Sequence, residues 1–255
     1  TEYRFMSKIG PLLPICLILG TTLACLAEAP TEKKSSTHDL IQHLLDQDLG
    51  TRKFSFTDVI FAGSGKKVIP SDAQIPAHKI ILDTIGEAAN LAVTELSAAD
   101  SPIRKLRRIN EASRFFEDHI HKTVSKHPAL SCSIPKNTQG KEQRSGYPDL
   151  LITHTDTDGT TTRAYLDPKL FEEKSRASSF RTFYFEPRTR TNKIQHDALH
   201  LLIGISHDGK DGAWTFTGWE ICDLSKFHVR LKAEFQGSNR DLYRPDLIIK
   251  SSASK

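Results

Sequence analysis

Apolar positions along this chain recur first at helical spacing and then at strand spacing. Leu40, Ile41, Leu44 and Leu45 mark a short helix ending near Gly50. Phe54-Ser-Phe-Thr-Asp-Val-Ile-Phe61 alternates and then turns apolar, which predicts a strand or extended segment before a turn at Gly63-Ser-Gly65. From Ala77 to Ser97, the positions Ile80, Ile81, Ile85, Ala88, Leu91 and Val93 return at a helical period. Ser101-Pro102 offers an N-cap and a first-turn proline. A second helix is expected from there to about Lys126, just before Pro128.

The pattern then changes. Ala129 to Ile134 reads as a short strand, and the polar stretch Pro135 to Gly146 as a loop. Leu150 to His154 and Thr161 to Phe171 predict two strands joined by a turn at Asp156-Thr-Asp-Gly159, a hairpin with a short connection. Leu199 to Ser206 and Trp214 to Ile221 predict a second hairpin around His207 to Gly212. Phe227 to Phe235 fits strand or helix equally. Helices followed by strands and hairpins point to an α/β domain, a mixed central sheet flanked by helices.

Composition adds little to this and excludes several classes. The chain has 255 residues, 38% hydrophobic and 26% charged, enough for an ordinary core without disulfide stapling. The net charge of +4 does not by itself name a partner. Lys8 followed by the uncharged stretch Ile9 to Ala27 and its small residues predicts a secretory signal, or an anchor if uncleaved, over residues 1–29. That leads to a periplasmic or secreted location, or a cytoplasmic one if the start is misassigned. Residues 30–37 read as a polar linker and 38–255 as one domain. Beyond the leader, Cys132 and Cys222 remain; a disulfide and two free thiols are both open readings.

The candidate chemistry lies on the first hairpin. In a strand, residues i and i+2 share a face, so Asp167 and Lys169 project together. Asp149 joins them if the two runs pair. Two carboxylates beside a lysine at one end of a sheet suit a divalent cation and an activated water.

Pro148-Asp149, the 17 residues 150–166, and then Asp167-Pro168-Lys169 form a pattern that resembles the PD-(D/E)xK nuclease superfamily, which includes many type II restriction endonucleases. The resemblance covers about residues 105–225. It implies a restriction-endonuclease-like fold, Mg²⁺ held by Asp149 and Asp167, and Lys169 acting on the water and the phosphate. The substrate it implies is DNA, and a homodimer would supply the two sites that a duplex cut requires. A further acid is expected on the preceding helix. Glu117, in Phe115-Phe116-Glu117, fits better than Glu111. Pro168 inside the second strand removes a ladder donor and suggests an edge or a bulge.

Residues 174–193 carry Lys174, Arg176, Arg181, Arg188, Arg190 and Lys193 against Glu186, interleaved with Phe180, Phe183, Tyr184 and Phe185. Such a stretch suits a phosphate backbone. Lys174, Arg176, Arg181, Arg188 and Arg190 are the candidate DNA contacts. His196 and His200, at i and i+4, could share a helix face and hold a metal, but no third ligand is evident. Gly63-Ser-Gly-Lys-Lys67 lacks phosphate-loop spacing. The alternative function is a secreted nucleic-acid-binding protein of the same fold without catalysis.

Overall fold

The computed structural model describes residues 36–180, 183–188, 190–210, 212–232 and 234–250. The predicted leader and most of the linker therefore lie outside the described residues, as does Arg181. The chain divides into two compact units, 1–47 and 48–255. The described part of the first is α1 (Thr37–Asp46), closed by a capping box in which Ser36 and Asp39 satisfy each other's backbone amides.

In the second unit, β1 (Lys53–Ser55) leads directly into α2 (Phe56–Ser64). The extended segment predicted over 54–61 is thus confined to its first residues. Phe56 and Ile60 lie one helical turn apart and are both fully buried, so the apolar face that looked like a strand is a helix stripe. Gly65 ends α2 at φ +68°, a left-handed cap that glycine adopts without strain. β2 (Val68–Ile69) precedes α3 (Pro76–Ser97), which follows the predicted bounds within a residue.

The second helix is shorter than expected. Pro102–Lys105 and Ile109–Ala112 are separate 3₁₀ turns, and α4 proper spans Ser113–Val124. Arg107-Arg108, in a break between apolar positions, interrupts the stripe that Phe116, Ile120 and Val124 then carry.

The strands follow as β3 (Leu130–Ser133), β4 (Leu150–Thr155), β5 (Thr161–Glu172), β6 (Ala198–His207), β7 (Phe216–Asp223) and β8 (His228–Arg230), with a last short helix α5 (Asn239–Leu242). The main sheet runs β2-β6-β5-β4-β3, with β7 also pairing to β6. β5 and β2 run parallel to β6, and the other pairings are antiparallel. β1 and β8 form a separate two-stranded ribbon. The turn between β4 and β5 is closed by Asp156 N–H donating to Thr160 O at 2.8 Å, with Gly159 at φ +86°.

Each face of the sheet has its own apolar layer. On one, α3 and α4 bring Ile81, Ile85, Phe116 and Ile120 against Ile152 and Leu201. On the other, Phe56 and Ile60 of α2 pack with Tyr147, Tyr165 and Ile194. Burial of this order is the main stabilising term of such a domain. The result is a mixed α/β sheet flanked by helices, consistent with a restriction-endonuclease-like fold. Cys132 is buried and Cys222 exposed, and both are free thiols. Burial pushes the Cys132 thiol up to about 12, so it packs as a small apolar group. Among the described residues no helix is long and apolar enough to cross a membrane.

Candidate active site

The two ends of β5 have different neighbours. From Thr161 to Leu166 it pairs with β4, and from Ala164 to Glu172 with β6. Past Leu166 the β4 side is open. The Leu166 carbonyl faces β4, where it accepts from Asp149 N–H at 3.2 Å. Backbone groups alternate sides along a strand, so the amide nitrogen of Pro168, two residues on, faces the open side. The proline therefore costs no ladder bond, and the β5–β6 register runs through it unbroken. The edge suggested by Pro168 is real on one side, and no bulge is needed.

At this opening three predicted residues meet. Asp167 is 2% exposed. The Lys169 Nζ lies 2.5 Å from Asp167 Oδ2 and 3.9 Å from Asp149 Oδ2. Asp167 Oδ2 has no other donor among the described residues. Burial pushes the Asp149 carboxyl up to about 8, and the neighbouring Asp167 adds to the shift through its charge and a shared hydrogen bond. The pair holds more negative charge than the site can solvate. Lys169 offsets only part of it.

Glu117 reaches the cluster from α4. Burial raises its carboxyl above the usual range, while Arg144, 3.6 Å away, works against the shift. Lys169 and Asp167 are close enough to influence it as well. Glu111 belongs to the 3₁₀ turn before α4 and is exposed.

The chain entering Asp149 is held at two points. The Tyr147 hydroxyl and His200 Nδ1 are 2.8 Å apart in the buried layer, with their rings stacked at 23°. Burial holds the His200 imidazole down to about 3, so it is neutral at ordinary pH. His200 lies in β6 and His196 precedes that strand, so the pair does not share a helix face as the spacing suggested. Among the described residues no group of three His, Cys, Asp or Glu side chains forms a metal cluster. The second anchor is Lys193, whose Nζ donates to the carbonyls of Gln143 at 3.0 Å and Gly146 at 2.5 Å. Although it belongs to the basic stretch 174–193, this lysine is 2% exposed.

The basic segment has a mixed fate. Lys174 sits exposed in the 3₁₀ turn Glu173–Ser175, and Arg190 is exposed. Arg176 donates from Nη2 to both Glu220 carboxylate oxygens at 2.7 and 2.6 Å, and Arg188 Nε donates to Glu186 Oε1 at 2.6 Å. Surface pairs of this kind are screened by solvent and weak, and can exchange for a phosphate. Phe183 and Phe185 pack around Phe56, whereas Phe180 and Tyr184 are exposed.

Comparison with known proteins adds to this geometry. Residues 49–246 match the family model for the type II restriction enzyme MjaV family. The chain belongs to that family. It is 32% identical over 224 residues to the type II restriction enzyme MjaV of Methanocaldococcus jannaschii, an alignment covering 84% of this chain and 96% of that enzyme. The matched region contains β1 to β8 and every site residue named above.

Proposed function

We propose that this protein is a Mg²⁺-dependent endodeoxyribonuclease of PD-(D/E)xK type that hydrolyses phosphodiester bonds in DNA. The observation that carries the reading is the meeting of Asp149, Asp167 and Lys169 on the stretch of β5 past Leu166, where its pairing with β4 has ended. Membership of a type II restriction enzyme family supports the reaction class.

The residues fit a hard divalent cation. Asp149 and Asp167 provide carboxylate oxygens, and their crowding is the kind of charge a cation relieves. The Pro168 carbonyl, on the open side of β5, provides a third oxygen. Bound there, Mg²⁺ supplies Lewis acidity toward a phosphate oxygen and lowers the pKa of a water. The chain's own contribution is positional. Asp149 and Asp167 fix where the scissile phosphate sits. Lys169 donates to the attacking water or to a non-bridging oxygen and offsets the charge that grows there. Glu117, steadied by Arg144, adds negative charge behind the pair. Lys174 and Arg190, with Arg176 and Arg188 once released from their carboxylates, hold the DNA backbone and carry no base information. The apolar run at residues 9–27 adds the proposal that the enzyme acts outside the cytoplasm, which fractionation of expressing cells tests.

The reading is tested with supercoiled plasmid. Wild type should nick or linearise it with Mg²⁺ and stop on chelation, and Asp149→Ala and Asp167→Ala should be inactive while folded. Cutting by those variants at the wild-type rate rejects the site. DNA binding by wild type without cutting would reject catalysis and leave a binding module.

A further inference from the structure

Lys193 has no part in the Asp149–Asp167–Lys169 pattern, and its environment is unusual for a lysine. A buried ammonium costs several kcal/mol unless it is compensated. Among the described residues no carboxylate lies within ion-pair distance of it; its close partners are the Gln143 and Gly146 carbonyls. Both belong to the loop that delivers Tyr147, Pro148 and Asp149 to the head of β4. Burial holds the Lys193 ammonium below its usual range, while Asp149, Asp167 and Glu117 favour its charged form from beyond contact distance and Lys169 opposes it. If tying the loop were its whole task, a neutral donor would do so without the cost of a buried charge.

The surroundings strengthen the point. Asn192 next to it donates to Gly63 O at 2.9 Å, and its Oδ1 accepts from Ile194 N–H at 2.9 Å. Gln195 donates through Nε2 to the carbonyls of Lys136 and Asn137 at 2.7 and 2.9 Å. Lys193 and Gln195 thus fasten the loop 136–146 to the segment ahead of β6, and Asn192 ties that segment to the end of α2. Within that belt Lys193 is the member whose bonds end three residues before Asp149 and whose charge faces the acids.

We infer that Lys193 is a positioning residue of the active site, clamping the Gln143–Gly146 turn so that Asp149 is held beside Asp167 and Lys169. This rests on the nuclease reading above. Lys193 touches neither substrate nor reacting atoms. It acts through the backbone of the loop and through the potential it lends to three crowded carboxyls.

The test compares Lys193→Met and Lys193→Ala with wild type in Mg²⁺-dependent plasmid cleavage, with folding followed by thermal unfolding. Lys193→Met keeps a stem of similar length and removes the donor and the charge. It should stay folded, lose roughly 100-fold in kcat, as a misplacement of about 1 Å can, and change KM for DNA by less than about threefold. Lys193→Ala opens space for a small cation. Methylammonium should restore part of its rate, and tetramethylammonium, which has no N–H, should not. That rescue separates positioning from general stability, since loss of packing alone would not distinguish the two cations. Cleavage by folded Lys193→Met at the wild-type rate overturns the inference, as does equal rescue by both cations or by neither. Failure of the nuclease reading looks different: Asp149→Ala would then cut as well as wild type, whatever Lys193 does.

Discussion

The two halves of β5 are one continuous strand with opposite properties. Residues 164–166 lie between β4 and β6, and all three, Ala164, Tyr165 and Leu166, are fully buried. Residues 167–172 keep β6 on one side and have nothing of β4 on the other. There the strand carries an aspartate, a proline and a lysine, all of them poor choices for the interior of a sheet. The closed half fixes the strand, and the open half uses that rigidity to present charge. Where a neighbour ends, backbone and side-chain oxygens are free without breaking a ladder.

Substitutions in the two halves should therefore fail differently. The largest effect is expected at Lys169. Lys169→Met should reduce plasmid cleavage by about 10²–10³-fold, the scale of losing one preorganised charge-stabilising group. In the closed half, Leu166→Ala should lower unfolding free energy by about 2–5 kcal/mol, the range for truncating a fully buried leucine, read by denaturant titration. Its activity under stabilising conditions should persist.

The open half should also be intrinsically costly. The Asp149 carboxyl is raised to about 8 when folded and is near 4 when unfolded. The folded state then binds the proton more tightly. Its contribution to stability is complete below pH 4 and is lost as pH rises through 8. Asp149→Asn removes this loss, so in metal-free buffer the variant should unfold at a higher temperature than wild type at pH 8 and lose that advantage toward pH 4. The gap should narrow on adding Mg²⁺, which favours the wild-type carboxylate. A variant less stable than wild type at pH 8 would contradict the crowding described for the pair.

The smallest effect is expected at Pro168. Its amide position faces the side that β4 has left, so Pro168→Ala restores a donor with no ladder partner. Pro168 is buried, and its loss frees the unfolded chain, so stability should fall by about 1 kcal/mol. A large gain would mean that the proline interrupts the sheet after all.

Much of this contrast was legible from residue order alone, because it is local. The β4–β5 hairpin is short, its turn carries Gly159, and i, i+2 spacing puts Asp167 and Lys169 on one face whatever the rest of the chain does. Local pattern failed where a stripe served a different element. Phe54-Ser-Phe alternates like a strand, yet Phe56 and Ile60 are a helix stripe of α2 packed under the sheet. Pro102 to Val124 reads as one amphipathic helix, but two 3₁₀ turns intervene before α4. The place of Lys193 was hidden for a different reason. Its burial and its bonds to Gln143 and Gly146 span about fifty positions of sequence, and no spacing rule reports that. The pairs Arg176–Glu220 and Arg188–Glu186 were equally invisible in a tally of charges.

The claim that the open end of β5 is the catalytic end is tested most directly by separating binding from cutting at Lys169. Wild type and Lys169→Met are each mixed with plasmid and Mg²⁺, and complex formation by gel shift is followed beside the appearance of nicked and linear DNA. Lys169→Met should shift the DNA as wild type does and leave it uncut. Cutting by the variant at the wild-type rate would place the chemistry elsewhere in the molecule.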